Sequence, residues 1–126
     1  MKKEIYSNNA PKPIGPYSQC IKYGNMIFIS GQISINPKTN EIITNNISEE
    51  TKMVMENISN ILKESNCTFK NIVKCSIFLS DMDLFQKVNE IYSQYFSNPF
   101  PARETVEVSK LPKNVNVEIS AIAICK

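Results

Sequence analysis

Hydrophobic positions along the chain follow two periodicities. Ile47, Thr51, Val54, Ile58, Ile61 and Leu62 recur at helical spacing and predict a helix that ends near Asn66. Its start is marked by Asn46 with Glu49 three residues later, and by Ser48 with acidic residues in the first turn. A second helix is predicted after Ser80-Asp81-Met82-Asp83, carrying Leu84, Val88, Ile91, Tyr92, Tyr95 and Phe96 on one side until Asn98-Pro99-Phe100-Pro101 stops it. Strand-like stretches cover residues 17–23, 26–30, 72–79, 103–108 and 115–124. Gly24-Asn25 joins the first two as a hairpin, and Leu111-Pro112-Lys113-Asn114 turns between the last two. Pro11-Lys12-Pro13-Ile14-Gly15-Pro16 is stiff and extended, so the body of the domain is expected to hold it in place.

Strand, strand, helix, strand, helix, strand, strand describes an α+β layer of two helices over one mixed sheet. At 126 residues the whole chain is expected to be one domain, residues 1–126. In the last strand Ile119, Ala121 and Ala123 share one face while Ile122 and Ile124 share the other. Two helices cover only one face, so the other is expected to pack against further copies of the chain.

Composition removes several classes of chemistry. There is no His, and the four Cys form no CxxC pair, which argues against ordinary zinc, haem and Cys-His sites. Cys75 and Cys125 are expected as small core residues in a reducing compartment, with no disulfide required for folding. Three Gly cannot spell a phosphate-cradling loop. A formal charge of +2 supplies neither a nucleic-acid arm nor a polybasic membrane patch. No apolar run is long enough to span a bilayer, and residues 1–13 carry Lys without an apolar stretch behind them, so a soluble protein is expected, cytoplasmic with an organelle as the alternative.

Among 14 basic residues only Arg103 is Arg. It follows Pro99-Phe100-Pro101-Ala102 at a strand start, where a fixed guanidinium is suited to gripping a carboxylate. The competing role is a structural ion pair with Glu104, Glu107 or Glu118. Glu104 is the least suited, since alternation puts it on the opposite face from Arg103, Thr105 and Glu107. Glu118 lies within the most apolar strand, where a carboxylate must be paired or used; without His, carboxylates are the main general bases available. Tyr17 either lines a small pocket or packs half-buried. Ser30-Gly31-Gln32 ends a strand where Gly31 allows close approach. Asn89 stands as a polar residue in an apolar helix stretch.

Ile14-Gly15-Pro16-Tyr17-Ser18-Gln19, Ile29-Ser30-Gly31-Gln32, Pro37-Lys38-Thr39, Val88-Asn89, and the block from Phe100-Pro101-Ala102-Arg103 to Val117-Glu118-Ile119 closely resemble the RidA family, also called YjgF or reactive intermediate deaminase. The likeness spans nearly the whole chain. It implies a chorismate-mutase-like α+β fold: a mixed six-stranded sheet with two helices on one face, in a homotrimer with a central barrel and clefts between subunits. The activity it implies is hydrolytic deamination of 2-imino acids and their enamines, such as 2-aminoacrylate and 2-iminobutanoate, to 2-keto acids and ammonia, without metal or cofactor. On the same resemblance Arg103 would grip the substrate carboxylate and Glu118 would hold and activate water. Tyr17, Ser30, Gly31, Asn89 and, through its backbone, Thr105 would line the pocket. Thr105 stands where many members have Cys, so thiol chemistry is not required here. The alternatives are a small-carboxylate sensor or chaperone-like trimer, and an endoribonuclease or translation inhibitor; the charge and the missing His weigh against the last, and no nucleic-acid or membrane partner is expected.

Overall fold

The computed structural model describes all 126 residues. Six strands, β1 (Lys3–Ile5), β2 (Cys20–Tyr23), β3 (Met26–Gln32), β4 (Ile72–Leu79), β5 (Ala102–Glu107) and β6 (Val117–Ile124), form one sheet in the order β1-β2-β3-β6-β4-β5. The β4–β5 pair is parallel and every other pair is antiparallel. Two helices, α1 (Ile47–Lys63) and α2 (Phe85–Ser93), cover one face. The mixed α+β sheet with two helices is therefore the observed architecture. Neither helix is long and apolar enough to cross a membrane.

Helix α1 begins where its cap requires. Asn46 is extended, at φ −150°, and its side-chain oxygen accepts from Ser48 N at 2.9 Å and Glu49 N at 3.1 Å. That satisfies amide groups that the first turn leaves without helical partners. Val54, Met55, Ile58, Ile61 and Leu62 then bury completely or nearly so against Ile27 and Ile29 of β3, Ile77 and Leu79 of β4, and Val117, Ile119, Ala121 and Ala123 of β6. Each large aliphatic side chain buried this way contributes roughly 1.5–3 kcal/mol.

Alternation leaves the other sheet face to Met26, Phe28, Phe78, Val106, Ile122 and Ile124, interspersed with Lys74, Ser76, Glu104 and Glu118. Phe28 and Ile124 are 39% and 38% exposed there. This is the apolar second face expected from β6.

Several boundaries differ from the sequence pattern. Strand β1 has only three residues, too few for a period, and pairs as Lys3↔Lys22 through Ile5↔Cys20. Strand β2 starts at Cys20 rather than at residue 17, because Gln19 turns its amide back into the N-terminal segment. That amide donates to Ser7 O at 3.1 Å, Ala10 O at 3.3 Å and Pro11 O at 2.9 Å, and accepts from Ser7 N at 2.7 Å. Gln19 is thus the clamp for the proline segment. Strand β3 runs on to Gln32 across a register shift against β6. Strand β6 starts at Val117 because Pro112–Asn114 form a tight turn, with Lys113 and Asn114 at φ 58° and 56°. Tyr95 and Phe96 fall beyond α2, yet pack with Phe69, the rings 5.1 and 5.4 Å apart.

Cys125 is corrected more fundamentally. It lies one residue past β6 and is joined to Cys67 as a disulfide, with Cα atoms 6.1 Å apart and a sequence separation of 58. Fold topology brings the two loops together, a proximity that sequence spacing does not encode. Cys20 and Cys75 remain buried thiols.

Candidate active site

Arg103 is the second residue of β5 and lies in register with buried Cys75, so its side chain rises on the helix-covered face. Its Nη1 donates to Asn89 Oδ1 at 2.7 Å. The guanidinium carbon stands 5.1 Å from the Tyr92 ring centre and 5.6 Å from that of Phe85. Both distances lie within cation–π range. Phe85, Asn89 and Tyr92 are spaced i, i+4, i+7 and form one stripe of α2, which fixes the planar group without neutralising it.

None of the candidate carboxylates pairs with Arg103. Glu104 is on the opposite face, bonded to Ser76 Oγ and 3.2 Å from Lys74 Nζ. Glu107 accepts from Met82 N at 2.8 Å. Glu118 lies across the sheet, and the two ion pairs in the chain are Lys52–Glu49 and Lys74–Glu104. The guanidinium is left as a charged fork facing a cleft of about 340 Å³, lined by Asn89, Tyr92, Ser93, Phe100, Pro101 and Arg103. Thr105 follows on the same strand face, opposite Ile77; its Oγ1 is buried without a hydrogen-bond partner, and it does not line this cleft. Beneath Arg103, burial pushes the Cys75 thiol and the Tyr92 phenol up, so neither is ionised near neutral pH. Cys75 behaves as the core residue expected.

Glu118 opens the other half. It sits opposite Phe78 on the helix-free face, half-buried, and desolvation raises its pKa above the ordinary carboxyl value. Its carboxyl lies over Gly31: a Cβ built there would overlap Oε2 and stand 2.8 Å from Cδ. Gly31 is therefore required by close approach and not by a left-handed backbone. Around this pair lies a cleft of about 400 Å³, whose walls include Pro11, Lys12, Tyr17, Ser30, Gly31 and Glu118. Ser30 Oγ is committed to Ser18 O at 2.5 Å, which pins the strand end. Tyr17 is half exposed, with its hydroxyl accepting from Ile14 N at 3.3 Å.

The seven predicted site residues thus divide. Tyr17, Ser30, Gly31 and Glu118 share one cleft, Arg103 and Asn89 share another, and Thr105 stands beside Arg103. Within one chain the groups stay apart: Glu118 on β6 and Arg103 on β5 are separated by β4, a span of roughly 10 Å between strands, and project from opposite faces. Sequence reasoning missed the Phe85 and Tyr92 faces around Arg103; their spacing with Asn89 was the available signal. It also missed Lys12 and Pro112 in the Glu118 cleft, which lie in irregular segments where no periodicity applies.

Two helices on a six-stranded mixed sheet, with an arginine cleft on one face and a carboxyl cleft on the other, define the class of domain. Residues 7–125 match the family described as Endoribonuclease L-PSP. A RutC family protein of Pyrococcus horikoshii is 52% identical, with 98% of each chain covered. The 2-iminobutanoate/2-iminopropanoate deaminase of Homo sapiens is 42% identical over 98% of this chain and 90% of its own length. Among solved structures, the YjgF gene product of E. coli superimposes with a TM-score of 0.93 at 40% identity, covering 98% of this chain and 99% of its own. The chain belongs to the RidA/YjgF family.

Proposed function

We propose that this protein is a 2-imino acid deaminase that hydrolyses 2-iminobutanoate, 2-iminopropanoate and their enamine tautomers to 2-keto acids and ammonia. The observation that carries this reading is Arg103: the chain's single arginine, oriented by Asn89 and two aromatic rings, with no carboxylate of its own. A planar donor fork kept free in this way suits a small carboxylate. Relatives from human, cow and mouse bearing the deaminase name support it.

In the proposed mechanism the substrate carboxylate pairs with Arg103, and a water held by Glu118 attacks the imine carbon. Glu118 takes the water proton as the C–O bond forms and the C=N electron pair moves to nitrogen. The resulting carbinolamine loses ammonia as a proton reaches nitrogen and the C=O bond forms. The imine is already electrophilic, so orientation and proton transfer are the main requirements. A half-buried carboxyl with a raised pKa suits such an exchange.

Because Arg103 and Glu118 face opposite sides of one sheet, the working site is proposed to form between two copies, the Arg103 cleft of one closing on the Glu118 cleft of the next. The apolar helix-free face supports assembly as a homotrimer, since burying it removes the cost of leaving Phe28 and Ile124 wet. Asn89 orients the guanidinium, Tyr17, Ser30 and Gly31 wall the water side, and Thr105 stands beside Arg103 on the same strand face, behind the cleft wall.

The test is release of keto acid from 2-iminobutanoate generated in situ by a threonine dehydratase. Acceleration over the spontaneous rate, lost in Arg103→Ala and Glu118→Ala, is expected. A folded wild type that gives no acceleration overturns the proposal.

A further inference from the structure

Glu50 is a carboxylate with no accessible surface, yet no cation meets it. It projects from the first turns of α1, and its oxygens are taken up by three amide donors from the segment leading into β6. Asn116 N reaches Oε2 at 2.6 Å, Val117 N reaches the same oxygen at 3.1 Å, and Asn116 Nδ2 reaches Oε1 at 2.9 Å. Asn116 is gripped from the residue just past β4 as well: its carbonyl accepts from Ser80 N at 3.0 Å and its Oδ1 from Ser80 Oγ at 3.0 Å. The next residue after this doubly held pair is Glu118.

A carboxyl group with no exposure is costly unless hydrogen bonds replace its water. Here they come from the two amide groups immediately before the proposed water-holding residue. The segment ahead of them needs restraint, because Lys113 and Asn114 both sit in the left-handed region, which side chains other than Gly adopt at some cost. Pro112, in the same turn, lines the Glu118 cleft. On the far side, Glu118 rests on Gly31 with no room to spare.

We propose that Glu50 is a positioning residue: by holding Asn116 and Val117 from the core, it sets the height at which Glu118 leaves β6 and so keeps that carboxyl on Gly31. This rests on the deaminase reading for its effect on rate, but not for its effect on geometry. Glu50 touches no cleft and is not itself catalytic.

Three variants separate this from a purely structural role. Glu50→Leu keeps the volume and removes every acceptor. Glu50→Asp keeps the carboxyl group but withdraws it by one methylene. Glu50→Gln keeps one oxygen for both backbone amides, and Asn116 can turn its own oxygen to meet the new amide. The readouts are a crystal structure, kcat for 2-iminobutanoate well below each Tm, and binding of 2-ketobutyrate, which reports on Arg103. In Leu and Asp variants the Glu118 carboxyl is expected to leave Gly31 by about 1 Å, with kcat falling roughly 100-fold and 2-ketobutyrate affinity changed less than about three-fold. The Gln variant is expected to keep both position and kcat within about three-fold. If Leu does not fold, Asp carries the test. A Glu118 carboxyl that stays on Gly31 in a folded Leu or Asp variant overturns the inference, as does a Gln variant as impaired as Leu. A wild type without turnover sinks the functional reading alone, since the carboxyl position is measured independently.

Discussion

Gly31→Ala isolates the fit between Gly31 and Glu118. The backbone at Gly31 lies outside the left-handed region, so alanine is permitted there, and its methyl group is the only addition. That methyl would stand 2.8 Å from Glu118 Cδ and 3.0 Å from Cγ, besides overlapping Oε2. Carbon atoms settle at about 3.5–4.0 Å, so the carboxyl must retreat by roughly 0.7–1 Å. Misplacing a reacting group by that much costs on the order of 10²-fold in rate. The fold should tolerate the change: overpacking costs about 1–3 kcal/mol, offset in part by the roughly 0.4–1 kcal/mol alanine contributes by restricting the unfolded chain. The assay is keto acid release at saturating 2-iminobutanoate, together with 2-ketobutyrate titration and the melting temperature. A kcat lowered about 100-fold with 2-ketobutyrate affinity preserved is expected. A folded Gly31→Ala protein with kcat within about two-fold of wild type would show that the stacked position of Glu118 is irrelevant to the chemistry.

Arg103→Lys retains charge and loses the fork; forfeiting one charge-assisted bond of about 1.5–3 kcal/mol should lower kcat/KM roughly 10- to 150-fold, and unchanged kinetics would show that any cation serves. Asn89→Ala removes the 2.7 Å bond that aims the guanidinium, so KM should rise about ten-fold with kcat less affected, and an unaltered KM would leave the aromatic rings as sufficient support. Burial raises the Glu118 pKa, so between the ordinary carboxyl range and the folded value the native chain holds a proton that the unfolded chain releases. Stability from this group is therefore lost as pH rises through that window. Glu118→Gln should melt above wild type at neutral pH, with the gap closing below about pH 4, while deaminase activity is lost; a gap independent of pH in melting scans would contradict this.

Much of the fold was legible because the helices and long strands each bury one face. Ile47 to Leu62 repeats at helical spacing and buries that stripe, and Asn46 caps it as its side chain predicts. Ile119, Ala121 and Ala123 face the helices while Ile122 and Ile124 do not. What escaped depends on contacts between distant segments. Strand β1 is specified by pairing with β2 and carries too few residues to show alternation. The disulfide of Cys67 with Cys125 depends on two loops meeting. At the site, alternation placed Arg103 and Thr105 together and Glu104 opposite them. The face reached by Glu118 follows from the register of three strands, β6, β4 and β5, and no single stretch contains that information. Asn89 reads in sequence as a polar residue on a helix; only the approach of β5 makes it the partner of Arg103.

The most direct test of the central claim, that Arg103 and Glu118 act together across two copies, is complementation between disabled subunits. Arg103→Ala and Glu118→Gln proteins, each inactive alone, are unfolded, mixed in equal amounts and refolded, with mixed assemblies verified by native mass spectrometry. In a closed ring each site draws one residue from each neighbour, so random mixing should restore about one quarter of wild-type activity per site. If both residues served the same site from one chain, every subunit in the mixture would carry a defect. Verified mixed assemblies with no recovered activity would contradict the shared site.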